Sequence, residues 1–247
     1  MRLRILRLAF AGAAMAIPLA AAAQQSSEKA TIQKINAAVA AREENVVGYT
    51  ATERYRVFRN GDQAHPTAEM TVKTTYRTDT GKSYVILQES GSEILRKEVL
   101  ERILDSERLM SQPEQRGQAV LTSANYKMTV KGNEVVRGHD CIAVVIVPRK
   151  ESPYLFKGSI WVDPEDGSIV QLEGVASKSP TILTGASQVS RSYERMDGFP
   201  MATRAAATSS SWLLGQTNID IDYSDYEIQL RPAQQTTSGT NPGTHIE

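Results

Sequence analysis

Metal ligation, nucleophilic attack and acid–base catalysis each need particular side chains at particular spacings, and this chain offers few of them. Its histidines are His65 before Pro66, His139 in a turn and His245 near the end, and its single cysteine is Cys141. No two of these share the short intervals that hold a zinc ion. A G-x-S-x-G elbow, a P-loop and a dinucleotide fingerprint are all absent. Cys141 opens the run Cys141-Ile-Ala-Val-Val-Ile-Val147, which reads as a buried strand. Burial in apolar surroundings raises a thiol's pKa and leaves it inert. The carboxylates Asp163, Glu165 and Asp166 crowd one turn, where they can bind calcium or serve the turn's own N–H groups, and the second use is the commoner. Asp220, Asp222 and Asp225 follow one late strand, two of them on a solvated face. The sequence nominates no catalytic residue, no metal ligand and no cofactor site.

The tyrosines are more informative. Tyr49, Tyr55, Tyr76, Tyr84, Tyr126, Tyr193, Tyr223 and Tyr226 are spread over nearly every extended segment. Sheet propensity and half-buried packing account for such a spread. A second arrangement accounts for it too: the rings give a concave surface an amphipathic lining for an apolar ligand.

The elements that position these rings follow from periodicity. Ile32, Ile35 and Val39 recur at helical spacing among polar residues from Ser26 to Asn45, an amphipathic helix that needs a surface to lie on. Val47, Tyr49, Ala51, Tyr55 and Val57 alternate through a strand from Val46 to Phe58, with Glu53 as one polar interruption. Asn60-Gly61-Asp62 breaks it. Met70, Val72, Thr74 and Tyr76 alternate again, and Asp79-Thr-Gly-Lys82 turns the chain into a partner strand over Tyr84 to Glu89.

The period then changes. Ser90 and Glu93 have capping-box spacing, and Ile94, Leu95, Val99, Leu100, Ile103 and Leu104 make a wide apolar stripe along a helix from Ser92 to Met110 that Pro113 stops. A stripe of this width suits an ordinary packing helix and equally a movable cover over a groove.

After the helix the chain reads as strands alone. Asn125–Lys131, Cys141–Val147, Ser187–Met196, Phe199–Ser211 and Ile219–Leu230 alternate, with Gly132-Asn133 and Gly138-His139 as punctuation. The strongest signal is the hairpin from Leu155 to Val175, turned by Asp163-Pro164-Glu165-Asp166-Gly167. On one of its faces Ile160 and Val162 can meet Val170 and Leu172, and Trp161 is its largest side chain. About ten strands joined mostly by short turns, with no βαβ alternation, imply an antiparallel sheet and an α+β fold.

Both ends of the chain read differently. Arg2, Arg4 and Arg7, then Leu8 to Ala20, then Ala21-Ala22-Ala23 form a signal peptide over residues 1–23. An N-terminal membrane anchor is the alternative, but the apolar run is short and carries Gly12 and Pro18. The expectation is a soluble protein outside the cytoplasm, without stable membrane insertion. Removing residues 1–23 leaves 25 basic against 28 acidic residues, which argues against nucleic acid or an anionic membrane surface as main partner. One cysteine permits no internal disulfide, so the core must supply the stability. Residues 231–247 are mostly Gln, Thr, Ser, Gly and Pro with little to bury, and read as a disordered tail. The folded domain is thus 24–230.

The order of signal peptide, helix, strands, inserted helix and further strands resembles the periplasmic lipoprotein-carrier superfamily of LolA, LolB and the sensor RseB. The residues that carry the resemblance are Asn125-Tyr126, Pro148-Arg149 leading to Tyr154, and Gly158-Ser-Ile-Trp-Val-Asp163. Tyr193-Glu-Arg-Met-Asp-Gly-Phe-Pro200 and Asp222-Tyr-Ser-Asp-Tyr226 add to them. It covers Thr31 to Leu230 and implies an antiparallel half-barrel of about ten strands, helices packed on its concave face, and an apolar cavity between. Where the carriers have a glycine-rich strand leading to an Arg-Pro pair, this chain has Thr78-Asp-Thr-Gly81 and the inserted helix, so no functional residue carries over. The resemblance implies a non-enzymatic envelope protein that binds a lipid or a lipoprotein acyl chain. The alternative is an RseB-like sensor or interaction module with an envelope protein as partner; a hydrolase ranks third. The expected ligand-lining residues are Tyr49, Tyr55, Tyr76, Leu95, Val99, Leu100, Ile103 and Trp161.

Overall fold

The structure, a computed structural model, describes residues 17–178, 187–211 and 215–232. The long helix α1 (Ile17–Asn45) leads into β1 (Val46–Arg59), β2 (Ala68–Arg77) and β3 (Gly81–Gly91). A helical stretch follows, made of α2 (Glu93–Leu95), a π-helical turn (Arg96–Glu101), α3 (Arg102–Ser111) and the short α4 (Pro113–Arg116). The chain then runs through β4 (Tyr126–Val136), β5 (His139–Pro148), β6 (Phe156–Val162), β7 (Ile169–Ala176), β8 (Gln188–Met196), β9 (Phe199–Ser211) and β10 (Gly215–Leu230).

All ten strands form one sheet in the order β3-β2-β1-β10-β9-β8-β7-β6-β5-β4, and every adjacent pair is antiparallel. The chain grows outward from β1 to one edge, crosses by the helical stretch to the other edge, and meanders back until β10 pairs with β1. The sheet stays open, with β3 and β4 as its edges, so the expected α+β half-barrel of about ten antiparallel strands is the architecture observed.

The two main helices divide one face of the sheet between them. Ile35 of α1 is fully buried among Tyr126, Val144, Ile146, Ile160, Val162, Ile169 and Leu172, residues of β4 to β7. Leu95, Leu100 and Leu104 of the second helical stretch are buried against Tyr55, Val57, Met70, Val72, Ile221 and Tyr223, residues of β1, β2 and β10. The turn before β7 fits closely under α1. Gly167 has φ +79°, and a Cβ there would lie 2.5 Å from the carbonyl carbon of Lys34. Only glycine lets the turn and the helix backbone approach this closely.

Several boundaries differ from the sequence reading, each for a physical reason. The helical stretch is capped by Ser92, whose hydroxyl accepts from the Leu95 N–H at 3.4 Å, and not by Ser90. Ser90 remains in the β2–β3 ladder opposite Glu69. The stripe is not uniform either. The π turn spaces Leu95 and Leu100 five residues apart on the buried side and leaves Ile94 exposed. Gly132 does not end a strand: β4 passes through it with φ +138° at a bulge between Val130 and Gly132. In the central hairpin a register shift after Trp161 puts Ile169 opposite Val162, so Ile169 and not Val170 joins Ile160, Val162 and Leu172 in the core. Most of the segment read as a signal peptide (1–16), and all but Arg231 and Pro232 of the expected tail, lie outside the described residues. Among the described residues no helix is long and apolar enough to cross a membrane.

Candidate functional site

Between α1, α3 and the sheet lies a cavity of about 700 Å³. Its walls differ from one end to the other. Towards β4, β6 and β7 the lining is Leu121, Tyr126, Phe156, Ile169 and Leu172, with Val39 of α1 above them. The Tyr126 hydroxyl accepts from the Phe156 N–H at 3.4 Å, and burial pushes this phenol up to about 12.

Towards β1, β3, β8 and β10 the walls are charged. Strand alternation puts Glu53 on the same face as Ala51, Tyr55 and Val57, and Glu53 is only 1% exposed. Its carboxylate accepts from the Tyr55 hydroxyl at 2.5 Å and lies 3.5 Å from the Lys82 ammonium of β3. Lys82 also bonds Glu107 of α3 at 2.5 Å, and the Tyr84 hydroxyl donates to the same carboxylate at 3.2 Å. Arg191 of β8 faces in between Val189 and Tyr193, 3.8 Å from Glu107.

These groups set one another's ionisation. Burial alone would raise the Glu107 carboxyl, but Lys82 and Arg191 beside it, with hydrogen bonds from Lys82 and Tyr84, hold it below the usual carboxylate range. Burial likewise works against a charged Lys82, yet Glu107, Tyr49 and Glu53 around it keep its pKa well above normal. Burial foremost raises the phenols of Tyr55, Tyr84 and Tyr223, which stay neutral donors. The result is a cluster of two carboxylates and two cations inside the protein.

A second polar group closes the cavity near the C-terminal end of α1. Arg116 of α4 donates to the Tyr76 hydroxyl at 2.6 Å and pairs with Glu43 at 3.0 Å, and Arg42 donates to the Pro200 carbonyl at 3.1 Å. These bonds tie α1 and α4 to β2 and to the start of β9.

The structure scatters the expected lining residues. Tyr49 and Ile103 line the cavity. Tyr76 stacks on Tyr49 with ring centroids 5.1 Å apart and turns its hydroxyl to Arg116. Tyr55, Leu95 and Leu100, with Val99 packed against them, lie in the core beneath the helical stretch. Trp161 points to the opposite face of the sheet from Ile160 and Val162, and its indole N–H donates to Glu134 at 2.7 Å. It is neither a core residue of the hairpin nor near the cavity, because alternation sends neighbours to opposite faces.

Glu53, Lys82, Glu107 and Arg191 went unremarked in the sequence as site residues, although parity offered a signal. Glu53 shares its face with Tyr49 and Tyr55, and Arg191 sits between Val189 and Tyr193. The turn carboxylates are occupied by the turn itself: Asp163 accepts from the Glu165 N–H and Asp166 from the Ser168 N–H, both at 2.8 Å, and Arg195 pairs with Asp166 at 2.7 Å. Among the described residues no group of three His, Cys, Asp or Glu side chains could hold a metal ion.

No protein-family model matches the chain, and no curated protein matches it by sequence. Solved structures are similar to it over most of its length. A DUF1329 family protein from Desulfovibrio piger is 14% identical with a TM-score of 0.47, over 82% of this chain and 93% of that one. An outer membrane lipoprotein-sorting protein domain from Vibrio parahaemolyticus is 15% identical with a TM-score of 0.46, over 79% and 91%. A LolA superfamily protein from Nitrosomonas europaea is 12% identical with a TM-score of 0.41, over 83% and 93%.

Proposed function

We propose that this chain is an exported, non-enzymatic protein of the cell envelope that holds an apolar ligand, a lipid or a lipoprotein acyl chain, between its helices and its sheet. The observation that supports the reading is the cavity of about 700 Å³ with Val39, Leu121, Phe156, Ile169 and Leu172 in its walls. Its volume falls within the roughly 300–1,000 Å³ of small-molecule pockets. Each buried CH₂ contributes about 0.8 kcal/mol, so a chain of about ten methylenes contributes about 8 kcal/mol before the entropic cost of binding.

Export follows from the signal peptide over residues 1–23. Its removal leaves the packing part of α1 intact, since Ile32, Ile35 and Val39 all lie beyond Gln24. Intact-mass analysis of the envelope fraction should find a chain starting near Gln24; a retained Met1 would contradict it.

The experiment for ligand binding is titration of the purified protein with the neutral fluorophore N-phenyl-1-naphthylamine, together with mass spectrometry of its organic extract. Saturable uptake and a recovered lipid are expected. If the folded protein takes up no fluorophore and yields no lipid, the reading fails.

One observation favours the interaction-module alternative. Val85, Ile86 and Leu87 are 63%, 47% and 58% exposed on the edge strand β3. An apolar edge can take an added strand from a partner protein. On that reading, crosslinks placed at β3 in envelope extracts recover a partner while the cavity stays empty of fluorophore.

A further inference from the structure

The cavity is apolar at one end and charged at the other, and the charged end is unevenly satisfied. Lys82 is shared between two carboxylates, Glu107 at 2.5 Å and Glu53 at 3.5 Å. Glu107 in turn already accepts from Lys82 and from Tyr84. The guanidinium of Arg191 comes no nearer to Glu107 than 3.8 Å, outside hydrogen-bonding distance. It donates one hydrogen bond to the Tyr193 hydroxyl, and the Tyr223 phenol stands close by. Arg191 keeps 38% of its side-chain exposure, and it is one of the residues that line the cavity. A guanidinium presents its donors in a planar fork that matches the two oxygens of a carboxylate, so donors left over from Tyr193 can take a carboxylate head.

Granted that the cavity holds a ligand as proposed above, we infer that the ligand is an anionic amphiphile, a long-chain carboxylate whose head sits on Arg191 and whose chain runs toward Leu121, Phe156 and Leu172. The carboxylate oxygens accept from the guanidinium, and the phenols of Tyr193 and Tyr223 stand beside them as further donors. Glu107 sets the limit on charge. A phosphate monoester carries about −1.5 to −2 at neutral pH and would be repelled by this nearby carboxylate more than a monoanion is. Acid, alcohol and amine with the same chain should therefore bind in that order.

The test is displacement of N-phenyl-1-naphthylamine from the whole protein by dodecanoate, dodecanol and dodecylammonium at neutral pH. Dodecanoate should displace it at a concentration lower by about tenfold or more than dodecanol, the size of one charge-assisted hydrogen bond. Arg191→Gln should weaken dodecanoate to the level of dodecanol, and Arg191→Lys should keep part of the difference. Equal displacement by dodecanoate and dodecanol from the wild type would overturn the assignment and leave ligand binding standing. So would a difference that survives in Arg191→Gln. Failure of the wild type to take up the fluorophore would remove both readings. If circular dichroism shows Arg191→Gln unfolded, the wild-type ratio and Arg191→Lys decide.

Discussion

Lys82 and Glu107 meet at 2.5 Å and join the edge strand β3 to helix α3 inside the protein. Their side chains are 15% and 18% exposed, so little solvent screens them. Taking two charges out of water costs several kcal/mol each, and their attraction offsets this only where hydrogen bonds satisfy the remaining valences. Tyr84 and Glu53 supply those contacts here.

Lys82→Met leaves buried Glu53 without its cation and Glu107 with Arg191 alone, 3.8 Å away. It should destabilise the fold by about 3 kcal/mol or more, and Glu107→Gln by about 1–3 kcal/mol. The double variant should cost less than the two together, because both remove one interaction. Urea denaturation measures all three. A Lys82→Met variant within about 0.5 kcal/mol of wild type would show that the cluster does not hold α3 to the sheet.

The same cluster sets limits on pH. The folded Glu107 carboxyl lies below its ordinary 4.5, with Lys82 and Tyr84 facing it from β3, Glu53 and Tyr55 from β1, Arg191 from β8 and Tyr223 from β10. As pH falls the unfolded chain takes the proton first. The contribution of Glu107 is therefore complete above about pH 4.5 and is lost as pH falls through the folded value. The phenols have the opposite sign. Tyr55, Tyr84 and Tyr223 are raised above 10.0, so their contribution is present below about pH 10 and is lost as pH rises through their folded values. Melting temperature should plateau between these limits, and Glu107→Gln should flatten the acid side. An acid limb unchanged in that variant would exclude Glu107 as its source.

Two glycines separate backbone strain from steric fit. Gly138 has φ +82° with nothing within 4 Å of a would-be Cβ, and Gly167 has φ +79° with the α1 backbone at 2.5 Å. Gly138→Ala should cost about 1 kcal/mol, the strain of a left-handed alanine alone. Gly167→Ala should cost about 3 kcal/mol or more, since either the turn or α1 must shift. Equal costs in thermal denaturation would mean that α1 does not bear on the turn.

Neighbours on β6 should differ as their faces do. Ile160→Ala removes a fully buried side chain and should cost about 3 kcal/mol. Trp161→Ala removes a half-buried ring on the outer face with one bond to Glu134, and should cost about 1 kcal/mol. The reverse ranking in chemical denaturation would place Trp161 in the core.

The strands were legible because a period of two needs no knowledge of partners: Val46 to Phe58 and the hairpin around Gly167 could be read from their own residues. The helical stretch was legible as a helix, but the π turn was not. Leu95 and Leu100 fit a widened α stripe as well as a five-residue step, and only packing against β2 separates the two. The charged cluster was hidden for another reason. Parity places Glu53 and Arg191 on inward faces, but they lie on strands separated by β10 and β9, and Glu107 comes from a different element altogether. Their meeting depends on strand order and on where α3 crosses, which no local pattern encodes. Trp161 shows the converse. Its parity with Ser159 and Asp163, opposite to Ile160 and Val162, already marked it as outward.

Helix α1 ends at Asn45 and strand β1 starts at Val46, with no linker between. The joint is clamped by Arg231, whose N–H donates to the Asn45 carbonyl at 2.7 Å and whose side chain donates to that of Glu44 at 2.8 Å. Farther along, Lys34 donates to the Pro164 carbonyl at 2.7 Å. The opposite wall is fastened at both ends: the Ser92 N–H donates to the Thr67 carbonyl at 2.9 Å, and the Ser111 hydroxyl accepts from the Lys82 N–H at 2.7 Å. A container with anchored walls has a set capacity and works as a gauge. Affinity for a homologous series of chains should climb by about 0.8 kcal/mol per methylene and then stop at the length that fills the space, where a yielding vessel would keep gaining.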